Sequence, residues 1–315
     1  SELRRGRGTG AHAPSDRREM PGTVSGLLIV DKPAGWTSHD VVGKVRRLAG
    51  MRRVGHAGTL DPMATGVLVV LLGRATRAAE YAEAQVKGYS AHIRFGVTTD
   101  TLDTEGNVTS ASGVVPGREE IEAVLPRFRG QIEQIPPMYS ALKVNGQKLC
   151  DLARAGKEVE RKARPVVIHE ITILEMDLPR VKMRVHCSSG TYIRTLCHDI
   201  GEKLGCHGCM DKLLRTRVER FCVEDSLTLS QIETIRDEER LEEIIIPIDR
   251  MFDEEPAVHL NEELSKAAHN GNALPPGVSE SKPAAGQKIR VYDADGAFVG
   301  LYQYEKERDR QHFRL

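Results

Sequence analysis

The sequence predicts an α+β fold, a mixed and largely antiparallel sheet with packed helices, followed by a small β-rich C-terminal unit. Three observations predict it. Apolar runs of strand length are interleaved with amphipathic helical segments, but without the regular strand–helix alternation of a doubly wound sheet. Several strand-like segments alternate apolar and charged residues, the period-two mark of a sheet packed on one face and wet on the other. With 315 residues, 40% hydrophobic and 29% charged, the chain suits one large or two ordinary domains and excludes a disordered, collagen-like or coiled-coil protein.

Residues 1–24, rich in Gly, Arg, Ser and Pro without apolar period, read as a flexible basic arm or tag. A first unit is expected over residues 25–246. It begins with the apolar run 26–30, which ends in the turn signal Asp31-Lys32-Pro33-Ala34-Gly35. Ser38 is expected to cap a helix over 40–49, which places Val41, Val42, Val45 and Leu48 on one face and Lys44, Arg46 and Arg47 elsewhere. The apolar segment 67–72 follows, then a helix over 75–84, then a strand in which Tyr89, Ala91, Ile93 and Phe95 share a face. Helices are expected near 118–128, 192–204 and 230–240, and strands over 166–174 and 180–187. In the last of these, Val181, Met183 and Val185 alternate with Lys182, Arg184 and His186. A second unit, 247–315, would hold a helix capped by Asn261 and a hairpin over 288–304 turning at Asp295-Gly296, a pair suited to a type I′ turn.

Charge is informative only when resolved along the chain. Forty-five Lys and Arg cancel forty-five Asp and Glu, which at first argues against a polyanionic partner. Residues 224–255, however, carry twelve acids against three arginines, a local charge of −9, so the remainder carries +9. The longest apolar run, 67–72, is far short of the roughly 18–20 residues of a membrane span. Six cysteines and no apolar signal region suit reduced thiols and a cytoplasmic location. Cys206-x-x-Cys209, with Cys197 and His198 upstream, is a single knuckle and too little for a zinc site; no metal is expected.

The densest polar cluster is Arg52-Arg53-Val54-Gly55-His56-Ala57-Gly58-Thr59-Leu60-Asp61-Pro62-Met63-Ala64-Thr65-Gly66. On spacing alone, Asp61-Pro62 reads first as a helix N-cap with proline at N1, and His56 first as a hydrogen-bonded surface residue. The cluster resembles the signature of the TruB family of pseudouridine synthases, Gly-His-x-Gly-x-Leu-Asp-Pro-x-Ala-x-Gly, through Gly55, His56, Gly58, Leu60, Asp61, Pro62, Ala64 and Gly66. Four further blocks follow that family's pattern and order across residues 26–220: Lys32-Pro33-Ala34-Gly35-Trp36-Thr37-Ser38, Lys87-Gly88-Tyr89, Tyr139-Ser140-Ala141-Leu142-Lys143 and Gly190-Thr191-Tyr192-Ile193-Arg194. One departure is Leu214 in Leu213-Leu214-Arg215-Thr216, where family members often carry a second arginine. Cys150-Asp151-Leu152 also replaces an aromatic segment common in the family.

The resemblance implies that the first unit is catalytic, with a substrate-gripping insertion near 100–160 and a C-terminal unit similar to a PUA module. It makes Asp61 the catalytic carboxylate, Tyr89 the aromatic packed on the target base and a candidate proton acceptor, and Arg194 the partner of Asp61. His56, Tyr192, Leu213 and Lys32 would form the substrate pocket and its loop, and Arg52, Arg53, Lys143, Arg154 and Arg215 would contact RNA phosphates. The implied reaction isomerises uridine to pseudouridine in the T-loop of tRNA, at position 55, by base flipping. The implied protein is a monomer without cofactor; the alternative is a non-catalytic tRNA-binding or tRNA-folding protein on the same scaffold.

The residue types suit that chemistry. The reaction breaks the N1–C1′ bond, turns the held uracil and joins C5 to C1′, so no electrons or atoms are exchanged with a second molecule. One carboxylate can stabilise or trap the sugar carbon, as in a retaining glycosidase, and no second acid is needed because uracil leaves as a stabilised anion. A turning base needs a flat, mostly apolar pocket, which Tyr89, Tyr192 and Leu213 would line.

Overall fold

A computed structural model describes residues 24–280, 283–307 and 310–314; the expected N-terminal arm therefore lies, except for Val24, outside the described residues. In chain order the first half contains β1 (Gly26–Lys32), α1 (Ser38–Ala49), β2 (Val54–Ala57), β3 (Thr65–Leu72), α2 (Ala79–Glu83), β4 (Lys87–Phe95), β5 (Val97–Thr99), β6 (Val108–Ala111), α3 (Arg118–Val124) and β7 (Gly130–Gln134). Then come β8 (Lys143–Val144), β9 (Gln147–Lys148), α4 (Leu149–Arg154), β10 (Arg164–Asp177), β11 (Arg180–Cys187), α5 (Ile193–Lys203), β12 (Gly208–Val218), β13 (Phe221–Cys222) and α6 (Leu229–Asp237). The chain ends with β14 (Ala257–His259), α7 (Glu262–His269), β15 (Lys288–Tyr292), β16 (Phe298–Glu307) and β17 (Arg310–Arg314).

Among the described residues, nine strands form the main sheet in the order β1-β3-β12-β4-β11-β10-β7, with β2 on β3 and β13 on β12. All neighbours are antiparallel except β12 and β3, which run parallel and pair Leu214 with Thr65 and Arg215 with Gly66. β1 and β3 are covered on both faces, which explains their unbroken apolar runs. Leu28, Val30, Leu68 and Val70 enter the core beneath α1, α5 and α6, while Leu27, Ile29, Val67 and Val69 face Ala78, Ala82, Met251 and Phe252. β4 and β11 alternate because only one face is covered. Tyr89, Ala91, Ile93, Val181, Met183 and Val185 are buried, and Arg184 on the other face is exposed.

Gly66 is dictated by the parallel β3–β12 contact. Its φ is +106°, and a Cβ there would lie 2.1 Å from the Arg215 carbonyl oxygen, so both backbone angle and space exclude a side chain. Gly66→Ala is expected to lose about 3 kcal/mol or more of stability in urea unfolding. A loss under about 0.5 kcal/mol would contradict this account of the contact.

Three local expectations are corrected. Thr37, not Ser38, caps α1: its hydroxyl accepts from the Asp40 N–H at 2.9 Å, and the Asp40 carboxylate accepts from the Thr37 N–H at 3.0 Å. The helix expected over 75–84 divides into a 3-10 segment, Gly73–Ala78, and the short α2; the Thr76 hydroxyl bonds back to the Gly73 carbonyl, competing with regular helix bonding. The 288–304 hairpin is present as β15–β16, but its turn is not type I′. Gly296 has φ +82° whereas Asp295 does not take a positive φ, and the Asp293 carboxylate accepts from the Asp295 and Ala297 N–H groups. A register shift between Val291 and Tyr292 absorbs the longer loop.

Strands β14-β15-β16-β17 form a separate sheet with its own core of Val258, Leu260, Leu274, Ile289, Val291 and Tyr302. Around the expected insertion, β5–β6, which begins just before residue 100, and β8–β9 are two small hairpins, joined through α3 and the β7 edge strand.

Candidate active site

The signature cluster begins in β2 and continues through the loop to β3. Asp61 starts no helix: its carbonyl accepts from the Ala64 N–H at 2.9 Å in a tight turn, which overrides the N-cap reading. Leu60, 3% exposed, anchors the loop from below. Ser38 clamps it, accepting from the Leu60 N–H at 2.9 Å and donating to the Leu60 carbonyl at 3.1 Å. Lys32 is wholly buried, and its ammonium donates to the carbonyls of Pro33 at 2.9 Å, Trp36 at 2.6 Å and Pro62 at 3.2 Å. It staples the 33–36 turn to the Asp61 loop from beneath.

Arg194 lies in the first turn of α5, with its side chain 6% exposed. Its Nε sits 2.9 Å from Asp61 Oδ2, while Nη1 donates to the Thr101 carbonyl at 3.1 Å and Nη2 to the Tyr139 carbonyl at 2.7 Å. One planar guanidinium therefore fixes three loops, and the Asp61 side chain keeps 38% of its surface exposed beside it.

Tyr89, 6% exposed, points inward from β4 and is the cross-strand partner of Arg215 in β12; Leu213, 8% exposed, lies two residues before Arg215. Burial pushes the Tyr89 hydroxyl up from its ordinary range, against the opposing pull of Arg215, so it is a neutral phenol near pH 7. Tyr192 is half-buried at the start of α5. Its backbone is gripped at both ends by Gln134 of β7, which accepts from the Tyr192 N–H at 2.9 Å and donates to its carbonyl at 3.1 Å. Gln134, Thr101 and Ser38 carried no signal of these roles in the sequence, because each acts through a contact remote along the chain.

His56, half-buried in β2, has its Nδ1 buried with no hydrogen-bond partner among the described residues. Burial holds its pKa below the ordinary histidine value. The unfolded chain therefore binds a proton first as pH falls, and stability should drop below about pH 6.5. His56→Phe should flatten part of that drop in thermal midpoints measured from pH 7.5 to 5.5. An unchanged slope would contradict this account.

Of the five expected phosphate contacts, Arg52, Arg53, Lys143 and Arg154 are exposed; Arg53 also bonds Thr76, and Arg154 pairs with Asp151 at 3.2 Å. Arg215 is corrected: it is 1% exposed, bonds the Val67 and Gly58 carbonyls at 2.7 and 2.8 Å, and reaches no surface phosphate. Its inward position was legible, since it shares the period-two face of Leu213. Cys197, Cys206 and Cys209 are buried, and burial raises all three thiols, Cys209 to about 11. Among the described residues no group of three or more His, Cys, Asp or Glu is arranged to hold a metal ion, and no helix is long and apolar enough to cross a membrane.

Comparison with known proteins gives this geometry a family. The model of the TruB family pseudouridylate synthase N-terminal domain matches residues 46–193, and that of the tRNA pseudouridylate synthase B C-terminal domain matches residues 194–253. The tRNA pseudouridine synthase B of Clostridium kluyveri is 44% identical over 278 residues, covering 88% of this chain and 95% of that protein. The chain belongs to the TruB family. A third model, Pseudouridine synthase II TruB, C-terminal, matches residues 256–307. Another TruB relative, the tRNA pseudouridine synthase B of Pseudomonas putida, is 42% identical over 287 residues, covering 90% of this chain and 93% of its own. Among solved structures, the archaeal box H/ACA sRNP Nop10–Cbf5 complex contains a chain of similar fold, with TM-score 0.69, 27% identity, and coverage of 92% of this chain and 84% of that one. A Cbf5–Nop10–Gar1 complex gives TM-score 0.70 at 27% identity, with the same coverage.

Proposed function

We propose that this protein isomerises uridine to pseudouridine at position 55 in the T-loop of tRNA, acting as an intramolecular transferase. The observation that carries the reading is the Arg194–Asp61 pair at 2.9 Å, held in a partly open loop beside buried Tyr89 and Leu213. Asp61 meets the reacting nucleotide as the N1–C1′ bond breaks, and Arg194 fixes the orientation of its carboxylate. Tyr89, Leu213 and Tyr192 hold the detached uracil flat while C5 turns toward C1′, and His56 fills the stack vacated by the flipped nucleotide. The proton on C5 is then lost to solvent, N1 takes up a proton, and the base remains joined by carbon. The reaction is redox-neutral and calls for no cofactor or metal.

The substrate element in this reading is the T-arm stem-loop, recognised by shape and phosphate contact. Arg52, Arg53, Lys143 and Arg154 are the candidate phosphate cations. Neutralising one should reduce the salt slope of tRNA binding by about one counterion. The reading further takes the protein as a cytoplasmic monomer with residues 247–315 as a PUA-like module.

The test is tritium release from C5-labelled uridine in a T-arm hairpin. Stoichiometric release, with a carbodiimide-reactive product, is expected. A folded protein that binds the hairpin and releases no tritium would sink the enzyme reading and leave a tRNA-binding protein.

A further inference from the structure

Three buried cations lie at the Asp61 loop or beside Tyr89: Lys32 at 0%, Lys87 at 6% and Arg215 at 1% exposure. Among the described residues none of them is in an ion pair with a carboxylate. Each holds backbone carbonyls, and Arg215 also interacts with the Tyr89 hydroxyl. Lys32 holds those of Pro33, Trp36 and Pro62; Lys87 holds those of Glu83 and Gln85; Arg215 holds those of Val67 and Gly58.

The geometry ties them to the reacting region. Lys87 lies two residues before Tyr89 on the inward face of β4, and Arg215 is paired with Tyr89 across β12 and β4. At Gly58, three residues before Asp61, a Cβ would lie 3.3 Å from Lys87 Cε and 3.5 Å from Arg215 Nη1. Gly58 thus leaves the loop backbone lying directly on two cationic side chains.

Burying like charges with no carboxylate in direct contact costs stability, since each loses hydration, and the nearby negative charges of Asp61 at Lys32 and Glu83 at Lys87 offset this only in part. The cost is visible in both lysines. Burial, joined by repulsion from Arg215 and opposed at Lys32 by the Asp61 carboxylate, brings Lys32 and Lys87 each down to about 8, low for lysine but still protonated near neutrality. Neutral amide or hydroxyl donors could satisfy the same carbonyls without that cost. A fixed positive charge has its use where negative charge develops in the reaction.

We propose that Lys32, Lys87 and Arg215 form a cationic floor beneath the base pocket that stabilises the uracil anion while it is detached from its sugar. The inference rests on the pseudouridine reading. When N1–C1′ breaks, both bonding electrons stay on uracil and C1′ becomes electron-poor, to be met by Asp61. The floor donates no proton. It supplies a positive potential until the C5–C1′ bond forms, after which the C5 proton passes to solvent and N1 takes up a proton, leaving charge and atoms balanced. These are positioning residues of the electrostatic kind, distinct from the groups that touch substrate.

The test compares Lys87→Gln and Arg215→Gln, which retain hydrogen-bond donors without charge, with Arg215→Lys, which retains charge. Single-turnover pseudouridine formation on T-arm RNA is measured at saturating enzyme, alongside Kd and thermal midpoint. Each Gln variant should lose about tenfold or more in rate with Kd within about threefold, and Arg215→Lys should recover most of the lost rate. Folded Gln variants with rates within about threefold of the unsubstituted protein would overturn the proposal. So would Arg215→Lys losing as much as Arg215→Gln. If Arg215→Gln fails to fold, Lys87→Gln decides alone by the same criterion. An unsubstituted protein that forms no pseudouridine is instead the failure of the functional reading itself.

Discussion

Asp61→Asn is expected to lower single-turnover pseudouridine formation by about four orders of magnitude or more while leaving tRNA affinity within about threefold. The substitution is nearly isosteric, and the amide oxygen can still accept from Arg194 Nε, now 2.9 Å from Asp61 Oδ2. The turn that presents the side chain is built from backbone and from Ser38, so it should persist. What disappears is the negative charge and the nucleophilic oxygen pair. Tritium release and filter binding on the same protein separate these effects. A variant releasing tritium within about tenfold of the unsubstituted protein would remove Asp61 from the reaction.

Much of the framework was legible because it is written in local periodicity. The double-sided burial of β1 and β3 follows from their unbroken apolar runs, and the single-sided burial of β4 and β11 from their alternation. Adjacent candidates such as Thr37 and Ser38 were harder to separate, because either hydroxyl can cap and only the tertiary demand of Leu60 commits Ser38 elsewhere. Hairpin 288–304 was visible, but the Asp293 carboxylate selected its turn. The insertion of β12 between β3 and β4 had no local signature, since it joins segments more than a hundred residues apart. The clamps by Gln134 on Tyr192 and by Arg194 on Thr101 and Tyr139 are illegible for the same reason.

Charge distribution gains a structural meaning of the same long-range kind. Part of the acidic stretch 224–255 fastens elements together: Glu233 of α6 pairs with Lys44 of α1 at 3.3 Å. Asp253 lies within reach of Arg220, Arg250 and Arg290, while Asp249 accepts from the Tyr292 hydroxyl at 2.7 Å. The acidic segment thus binds the C-terminal sheet to the main one, and the zero net charge conceals a seam. Arg52, Arg53, Lys143 and Arg154 lie outside that segment and remain exposed.

Arg194 should show the other large effect, on stability and rate together. A cation in the first turn of α5 opposes the helix dipole, so its place there depends on Asp61 and the carbonyls of Thr101 and Tyr139. Arg194→Ala removes all three contacts, leaving the Asp61 carboxylate unpaired and two loop carbonyls without their donor. Because Asp61 remains partly hydrated, a loss of about 2–3 kcal/mol in urea unfolding is expected, below the range for a fully buried pair. Arg194→Lys retains charge but replaces a planar fork with a single ammonium that cannot span all three acceptors. It should keep more of the stability than Arg194→Ala, yet lose about a hundredfold in single-turnover rate, since under the proposed reaction a carboxylate displaced by about 1 Å is no longer aligned with the reacting nucleotide. A lysine variant with the rate of the unsubstituted protein would show that charge alone suffices and that the fork is not what aims Asp61.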